Sequence, residues 1–294
     1  MEQHIAPPDP DAVRRVVQAA LAEDRARQDV TTRITVAPGQ RGRGTFLAKQ
    51  RGVLCGLDVV RETFAQLSGD LALDVRAPDG AAVEDGDVVA EVTGPLAAML
   101  SGERVALNLL QRLSGTATMT RTFVERAAEG GAAEITDTRK TTPGLRELER
   151  YAVRVGGARN HRDTLADGIL IKDNHVEAGA QRGLSLAHLI AEARRAAPHT
   201  QRIEVEVPNA ETAREALGAG VDAILLDNMT PAEMAAVAAE MGDRVILEAS
   251  GGITLETVRE VAATGVHLIS VGALTHSAPA LDISLRIEPV GAEA

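Results

Sequence analysis

From Ala133 onward short apolar runs alternate with stretches of helical period, and this alternation constrains the fold more than any other feature of the chain. The runs are Ala133–Thr136, Gly168–Ile171, Ile203–Val207, Ala223–Leu226, Val245–Leu247 and His267–Val271. Helical patterns between them cover Leu145–Val155, Leu186–Ala196, Ala210–Leu217, Pro231–Glu240 and Leu255–Ala263. Strands connected through helices run parallel, and strands apolar along their whole length are covered on both faces. An α/β barrel and a doubly wound sheet both satisfy that pattern. The polar residues closing four successive runs, Glu206, Asp227, Ser250 and Gly272, stand 21, 23 and 22 residues apart, as a single repeating unit requires.

The first hundred residues read differently. Val13–Leu21 has helical spacing, Gly44–Ala48 and Val53–Leu57 look like short strands broken by glycine, and Asp79-Gly80 and Asp85-Gly86 are turn signals. This is an α+β region. A long helical pattern from Ser101 to about Glu129, interrupted near Ser114-Gly115, leads from it into the alternating part.

Composition removes several classes of function. The chain has 294 residues, a formal net charge of −11 and four aromatic side chains, Phe46, Phe64, Phe123 and Tyr151, which argues against a nucleic-acid partner. No apolar run approaches the ~20 residues of a membrane span, and the acidic, Pro-rich start has no signal-peptide pattern, so a cytoplasmic protein is expected. A lone cysteine, Cys55, supplies neither an internal disulfide nor a paired-cysteine metal clamp.

Polar residues gather where each strand ends: Asp137-Thr138-Arg139-Lys140, Lys172-Asp173-Asn174-His175, Glu206, Asp227-Asn228, Ser250-Gly251-Gly252 and Gly272-Ala273. In parallel α/β folds that face binds ligands. Any one of these groups is equally well a solvated loop residue or a helix cap; six in register carry more weight. Between Arg139 and Lys172 eight basic residues face four acidic ones, a positive enclave in an acidic protein that suits a multiply negative ligand, although Arg146, Arg150 and Arg154 also read as a solvated helix face.

Lysine usage sharpens this reading. The chain has 28 Arg and only three Lys, and two of the three, Lys140 and Lys172, sit at adjacent strand ends in the enclave. Arg139, Arg162 and Arg104 offer forks for carboxylate or phosphate. Glu206 and Asp227 suit either acid–base hydrolysis or Mg²⁺ shared with a phosphorylated substrate. Ser250-Gly251-Gly252, before a helix beginning near Thr254, reads as a phosphate cup whose second wall is Gly272-Ala273. No GxxxxGK[ST] loop, strand-linked GxGxxG or GxSxG elbow is present, and His161 and His175 lack zinc-ligand spacing.

Several of these segments together resemble the quinolinate phosphoribosyltransferase family: DTRKTTPGLR from Asp137, GGARNHRDTLADGILIKDNH from Gly156, EVEV from Glu204, LLDN from Leu225, EASGGI from Glu248 and VGALTHS from Val271, with GERVALNLLQRLSGTAT from Gly102. One departure is Ala158, where the resemblance leads one to expect a third glycine after Gly156-Gly157. The resemblance implies an α/β fold: an incomplete α/β barrel over 116–274 carrying the active site, with an N-terminal α+β sandwich-like domain over 1–115 joined by the tail 275–294. It implies transfer from phosphoribosyl pyrophosphate to quinolinate with loss of CO₂, Mg²⁺ as cofactor, and a homodimer with shared sites, higher assembly left open. It assigns Thr138, Arg139, Lys140, His161, Arg162 and Lys172, with Arg104 of the neighbouring subunit, to the pyridine dicarboxylate. Glu206 and Asp227 fall to ribose and Mg²⁺, and Ser250, Gly251, Gly252, Gly272 and Ala273 to the 5-phosphate. Lys140, Lys172, Glu206 and Asp227 are the expected catalytic residues. A related transferase for a monocarboxylate and a non-catalytic phosphate-ligand binder are the alternatives.

Overall fold

The computed structural model describes residues 5–290, which form two compact units. One comprises the chain to Arg121, Thr141–Gly157 and the segment from Leu274; the other comprises Thr122–Lys140 and Ala158–Ala273. Beside the boundary expected at 115/116, the opening segment of the first unit runs on to Arg121. The helix Arg146–Val155, expected among the barrel helices, belongs to the first unit because its Leu148, Tyr151, Ala152 and Val155 are buried in one cluster with Val13, Val17, Leu109 and Leu113.

The first unit contains a four-stranded antiparallel sheet of β1 (Arg41–Ala48), β3 (Ala72–Val75), β5 (Val88–Pro95) and β12 (Ile283–Val290), in the order β12-β1-β5-β3. The short β2 (Gly52–Val53) and β4 (Ala82–Val83) pair separately. Phe46 and Phe64, with ring centroids 6.3 Å apart and planes at 60°, anchor a core with Leu54, Met99, Leu110 and Ile283. Burial of such side chains supplies ~1.5–3 kcal/mol each.

The helix Leu96–Ala128 runs 33 residues without the break expected at Ser114-Gly115. A glycine costs a helix only ~1 kcal/mol relative to alanine. Here it serves a close approach: a Cβ on Gly115 would stand 1.9 Å from the Pro279 carbonyl oxygen. The buried Ser114 hydroxyl accepts the Cys55 amide at 2.9 Å. Among the described residues no helix is long and apolar enough to cross a membrane.

The second unit is built on six parallel strands: β6 (Glu134–Thr136), β7 (Ile169–Ile171), β8 (Ile203–Val207), β9 (Ala223–Asp227), β10 (Ile246–Ser250) and β11 (Leu268–Ser270). Their order is β6-β11-β10-β9-β8-β7. Among the described residues β6 and β7 do not pair, so the α/β barrel is incomplete. Arg159 lies beside Thr136 in a parallel bridge at the β6 edge. The connecting helices start where their caps dictate: Ser185, Asn209 and Thr230 each accept an amide three residues on, and Thr230 is followed by Pro231 and answered by Glu233 in a capping box.

The packing at Gly115 gives a direct test. Gly115→Ala should destabilise the protein by about 1–3 kcal/mol, the cost of forcing atoms into a filled site, measured by urea unfolding; an unchanged midpoint would mean that the Pro279 segment yields freely.

Candidate active site

Strand pleat decides what each residue faces. In β8 Ile203, Val205 and Val207 are fully buried, while Glu204 and Glu206 alternate with them. The same two-residue period places Leu170 and Lys172, Leu225 and Asp227, Glu248 and Ser250, and Ser270 along one cavity of about 510 Å³ with Glu206. Ser250 pairs with Asp227 in the ladder, while Glu206 pairs with Leu225, two residues before Asp227.

One side of this cavity is cationic. Thr138, Arg139, Lys140, His161, Arg162 and Lys172 all line it. The Arg139 Nε is buried without a hydrogen-bond partner among the described residues. Burial and the nearby Arg139 hold the Arg162 guanidinium below its ordinary value, and its Nη1 donates to the Gly168 carbonyl at 2.9 Å. The Thr138 hydroxyl accepts the Lys140 amide at 3.1 Å. Lys172 is aimed by its own helix start: its amide donates to His175 Nδ1 at 2.9 Å, and its Nζ donates to Glu206 at 2.7 Å.

The other side is acidic and glycine-rich. Asp227 accepts the Asn228 side-chain amide at 2.7 Å, and Asn228, at φ +55°, donates its backbone N–H to the Ser250 carbonyl at 3.0 Å. Gly251 has φ +96°, and a Cβ there would stand 2.3 Å from Asn228 Oδ1, so both conformation and space require glycine. Ser250, Gly251 and Gly252 line the cavity; Gly272 and Ala273 do not. The helix expected from about Thr254 begins only at Val258, because Thr254–Thr257 forms a separate turn, which removes a helix start from directly behind the glycines. Arg104 is exposed on the long helix of the first unit.

Below this ring lies a second polar layer, of which sequence reasoning placed His161 in the site but not Asp137, Glu204 or Glu248. Asp137, with no exposed surface, accepts the His161 amide at 2.7 Å and the Asn160 side chain at 2.7 Å. His161 Nδ1 accepts the Arg162 amide at 2.8 Å, and its Nε2 lies 3.2 Å from Glu204 and 3.6 Å from Glu248. Burial disfavours the imidazolium, but the Glu204 hydrogen bond and the Glu248 charge outweigh it and draw the ring's pKa above its usual value. Glu248 is 1% exposed, its Oε1 has no hydrogen-bond partner among the described residues, and burial with the adjacent Glu204 pushes it up to about 7. The signal was present in the alternation of Glu204 and Glu206 with Ile203, Val205 and Val207, which sends both carboxylates to the same face.

Linkage fixes the sign of a pH effect. Unfolded Glu248 ionises in the ordinary carboxylate range and folded Glu248 near neutrality, so over that window the unfolded chain binds fewer protons and stability falls as pH rises. Glu248→Gln should melt with an advantage over wild type that grows between pH ~5 and ~8, reaching on the order of 2 kcal/mol. A pH-independent difference in thermal unfolding would count against the buried carboxyl's perturbation.

Residues 29–114 match the model of the quinolinate phosphoribosyl transferase N-terminal domain and residues 116–286 that of its C-terminal domain. The chain is 44% identical to the probable nicotinate-nucleotide pyrophosphorylase [carboxylating] of Bacillus subtilis, covering 94% of this chain and 93% of that protein. It is 38% identical to the nicotinate-nucleotide pyrophosphorylase [carboxylating] of Rattus norvegicus, covering 96% and 93%. The crystal structure of NadC from Streptococcus pyogenes superposes with a TM-score of 0.92 at 37% identity, covering 97% of this chain and all of that one. With both domain models and full-length relatives matched, the chain belongs to the quinolinate phosphoribosyl transferase family.

Proposed function

We propose that this protein transfers the phosphoribosyl group of phosphoribosyl pyrophosphate to the ring nitrogen of quinolinate and removes one carboxylate as CO₂, giving nicotinate mononucleotide and pyrophosphate. The observation that carries this reading is the buried, unpartnered Nε of Arg139 beside Arg162 in a cavity whose opposite wall is Glu206, Asp227 and a Ser-Gly-Gly turn. A cationic pocket of this size suits two carboxylates rather than one. The names carried by the relatives agree with it.

The chain's own residues account for each stage. Arg139, Arg162, Lys140 and Lys172 orient the dianion with its ring nitrogen toward the anomeric carbon, which converts an encounter into a positioned reaction. As pyrophosphate departs, the ribose gains oxocarbenium character, which the carboxylates of Glu206 and Asp227 stabilise. Lys172, paired with Glu206 at 2.7 Å, links the two sites: a dianion drawing on Lys172 leaves Glu206 with more of its charge for the sugar. Ser250, Gly251 and Gly252 bring backbone close to the 5-phosphate. N-ribosylation makes the ring a pyridinium, whose positive nitrogen stabilises the carbanion left on the adjacent carbon when the C–CO₂ bond breaks. A proton delivered by Lys140 or Lys172 then takes up that electron pair to complete nicotinate mononucleotide.

Glu206 and Asp227 are hard oxygen donors at neighbouring strand ends, a set that suits Mg²⁺ completed by substrate phosphates rather than a closed protein cage. Bound there, Mg²⁺ would neutralise the pyrophosphate leaving group. In this reading the chain works in the cytoplasm as a homodimer in which Arg104 reaches the neighbour's dicarboxylate pocket.

Purified protein supplied with quinolinate, phosphoribosyl pyrophosphate and Mg²⁺ should release CO₂ and pyrophosphate in equal amounts and leave nicotinic acid unconsumed; inertness toward quinolinate would defeat the assignment. Arg139→Ala should weaken quinolinate binding by about 1.5–3 kcal/mol, the worth of a charged hydrogen-bond partner, as read by calorimetry. Mixing Arg104→Ala with Lys172→Ala subunits should restore activity that neither variant has alone, and failure of the mixture would count against a shared site.

A further inference from the structure

We propose that His161 is a positioning residue: its ring, held as the neutral Nε2–H tautomer by the interior carboxylates Glu204 and Glu248, uses Nδ1 to fix the Arg162 backbone and so sets the Arg162 guanidinium in the dicarboxylate pocket. This rests on the reading of the pocket given above and adds how it is held in shape.

The argument begins with proton bookkeeping at the ring. A backbone amide only donates, so the Arg162 N–H at 2.8 Å from Nδ1 requires a lone pair there. The other ring nitrogen lies 3.2 Å from a Glu204 oxygen and 3.6 Å from a Glu248 oxygen, so a hydrogen on Nε2 has acceptors in front of it while one on Nδ1 has none. Each side thus dictates the same tautomer, as outer carboxylates do for oriented histidines elsewhere. The carboxylates also favour a second proton on the ring, but that proton would have to land on Nδ1, where the Arg162 amide already points.

What the ring holds is held at other points too. Asp137 accepts the amide of His161 at 2.7 Å, so consecutive amides of the 161–162 segment are tied to side chains, and the Gly168 carbonyl receives Arg162 Nη1 at 2.9 Å. The backbone and the far end of Arg162 are both fixed before any anion arrives. This is the pre-organisation a planar fork needs to meet a carboxylate at little entropic cost.

Two other roles for the cluster fit less well. An anionic substrate reaching Nε2 would have to displace Glu204 and lie against two carboxylates. A divalent cation is the second occupant to consider, since ligand atoms of His161, Glu204 and Glu248 lie within 4.8 Å of one another. A metal at Nε2 needs its lone pair, which moves the hydrogen to Nδ1, where the Arg162 amide already points. The cluster is built around a proton.

The test has two independent readouts. In wild-type protein labelled with ¹⁵N-histidine, long-range ¹H–¹⁵N correlation at neutral pH should show the His161 ring, identified by loss of its signals in His161→Asn, as a neutral Nε2–H tautomer. An imidazolium or an Nδ1–H tautomer overturns the proposal, and this measurement stands whether or not the protein turns over quinolinate. In kinetics, His161→Asn places an oxygen acceptor where Nδ1 was, whereas His161→Gln places an amide near Nε2 and leaves Arg162 without its acceptor. The Asn variant should keep the KM for quinolinate within about threefold of wild type, while Gln should raise it about tenfold or more with a smaller change in kcat, a difference of one charged-group hydrogen bond. The reverse order, with Gln retaining affinity and Asn losing it, would show that Nε2 meets the substrate directly. Wild-type protein inert toward quinolinate would remove the assigned reaction and leave the tautomer result to judge the ring's role.

Discussion

Two residues per pleat is the constraint on which the catalytic unit rests. In β8 to β10 it drives Ile203, Val205, Val207, Ile224, Leu226, Leu247 and Ala249 out of water on one face and leaves Glu204, Glu206, Asp227, Glu248 and Ser250 to the other. A slip of one residue in any strand would exchange those sets, burying carboxylates in the apolar layer at a cost of several kcal/mol each. The hydrophobic effect thus sets the register, and the register sets the electrostatics.

Those electrostatics are arranged by height within the barrel. At the mouth, cations and carboxylates face each other across a space large enough for two small ligands, and they are compensated only in part, as the Lys172–Glu206 pair shows. Deeper in, Asp137, His161, Glu204 and Glu248 sit close together, with His161 between Asp137 and the two glutamates and Glu248 Oε1 left without a hydrogen-bond partner among the described residues. The mouth therefore keeps unspent interaction capacity for ligands, while the interior uses its own to fix the loops that carry Arg139 and Arg162.

Much of this was legible in the residues. Periodicity located five of the six parallel strands and the helices Leu186–Ala196, Ala210–Gly218 and Pro231–Met241 to within a residue or two, because their apolar spacing and their caps at Ser185, Asn209 and Thr230 agree, while β10 runs three residues past the expected Leu247 to Ser250. Strand ends pointed to the cavity for the same reason. Three features stayed hidden. The helix Asp173–Gln181 opens on polar residues that read as loop, since its start is made by Lys172 and His175 rather than by a Ser or Asp cap. Gly115 read as a break because its reason is a chain segment more than 160 residues away. Glu248 entered the reading only as the first residue of EASGGI, because a carboxyl's burial depends on what the neighbouring strands bring beside it.

The tail strand β12 pairs along the whole of β1, from Arg41 with Val290 to Ala48 with Ile283, and the unit it completes is interrupted twice by segments of the barrel. Its sheet is made of contacts between the two extremes of the chain, which is slow to assemble because a long loop must close first. During synthesis that edge of β1 must wait for its partner until β12 has left the ribosome, exposing unpaired backbone in the interim. From β7 to β11 the second unit is built of contiguous strand–helix repeats, which a nascent chain can pair as they emerge.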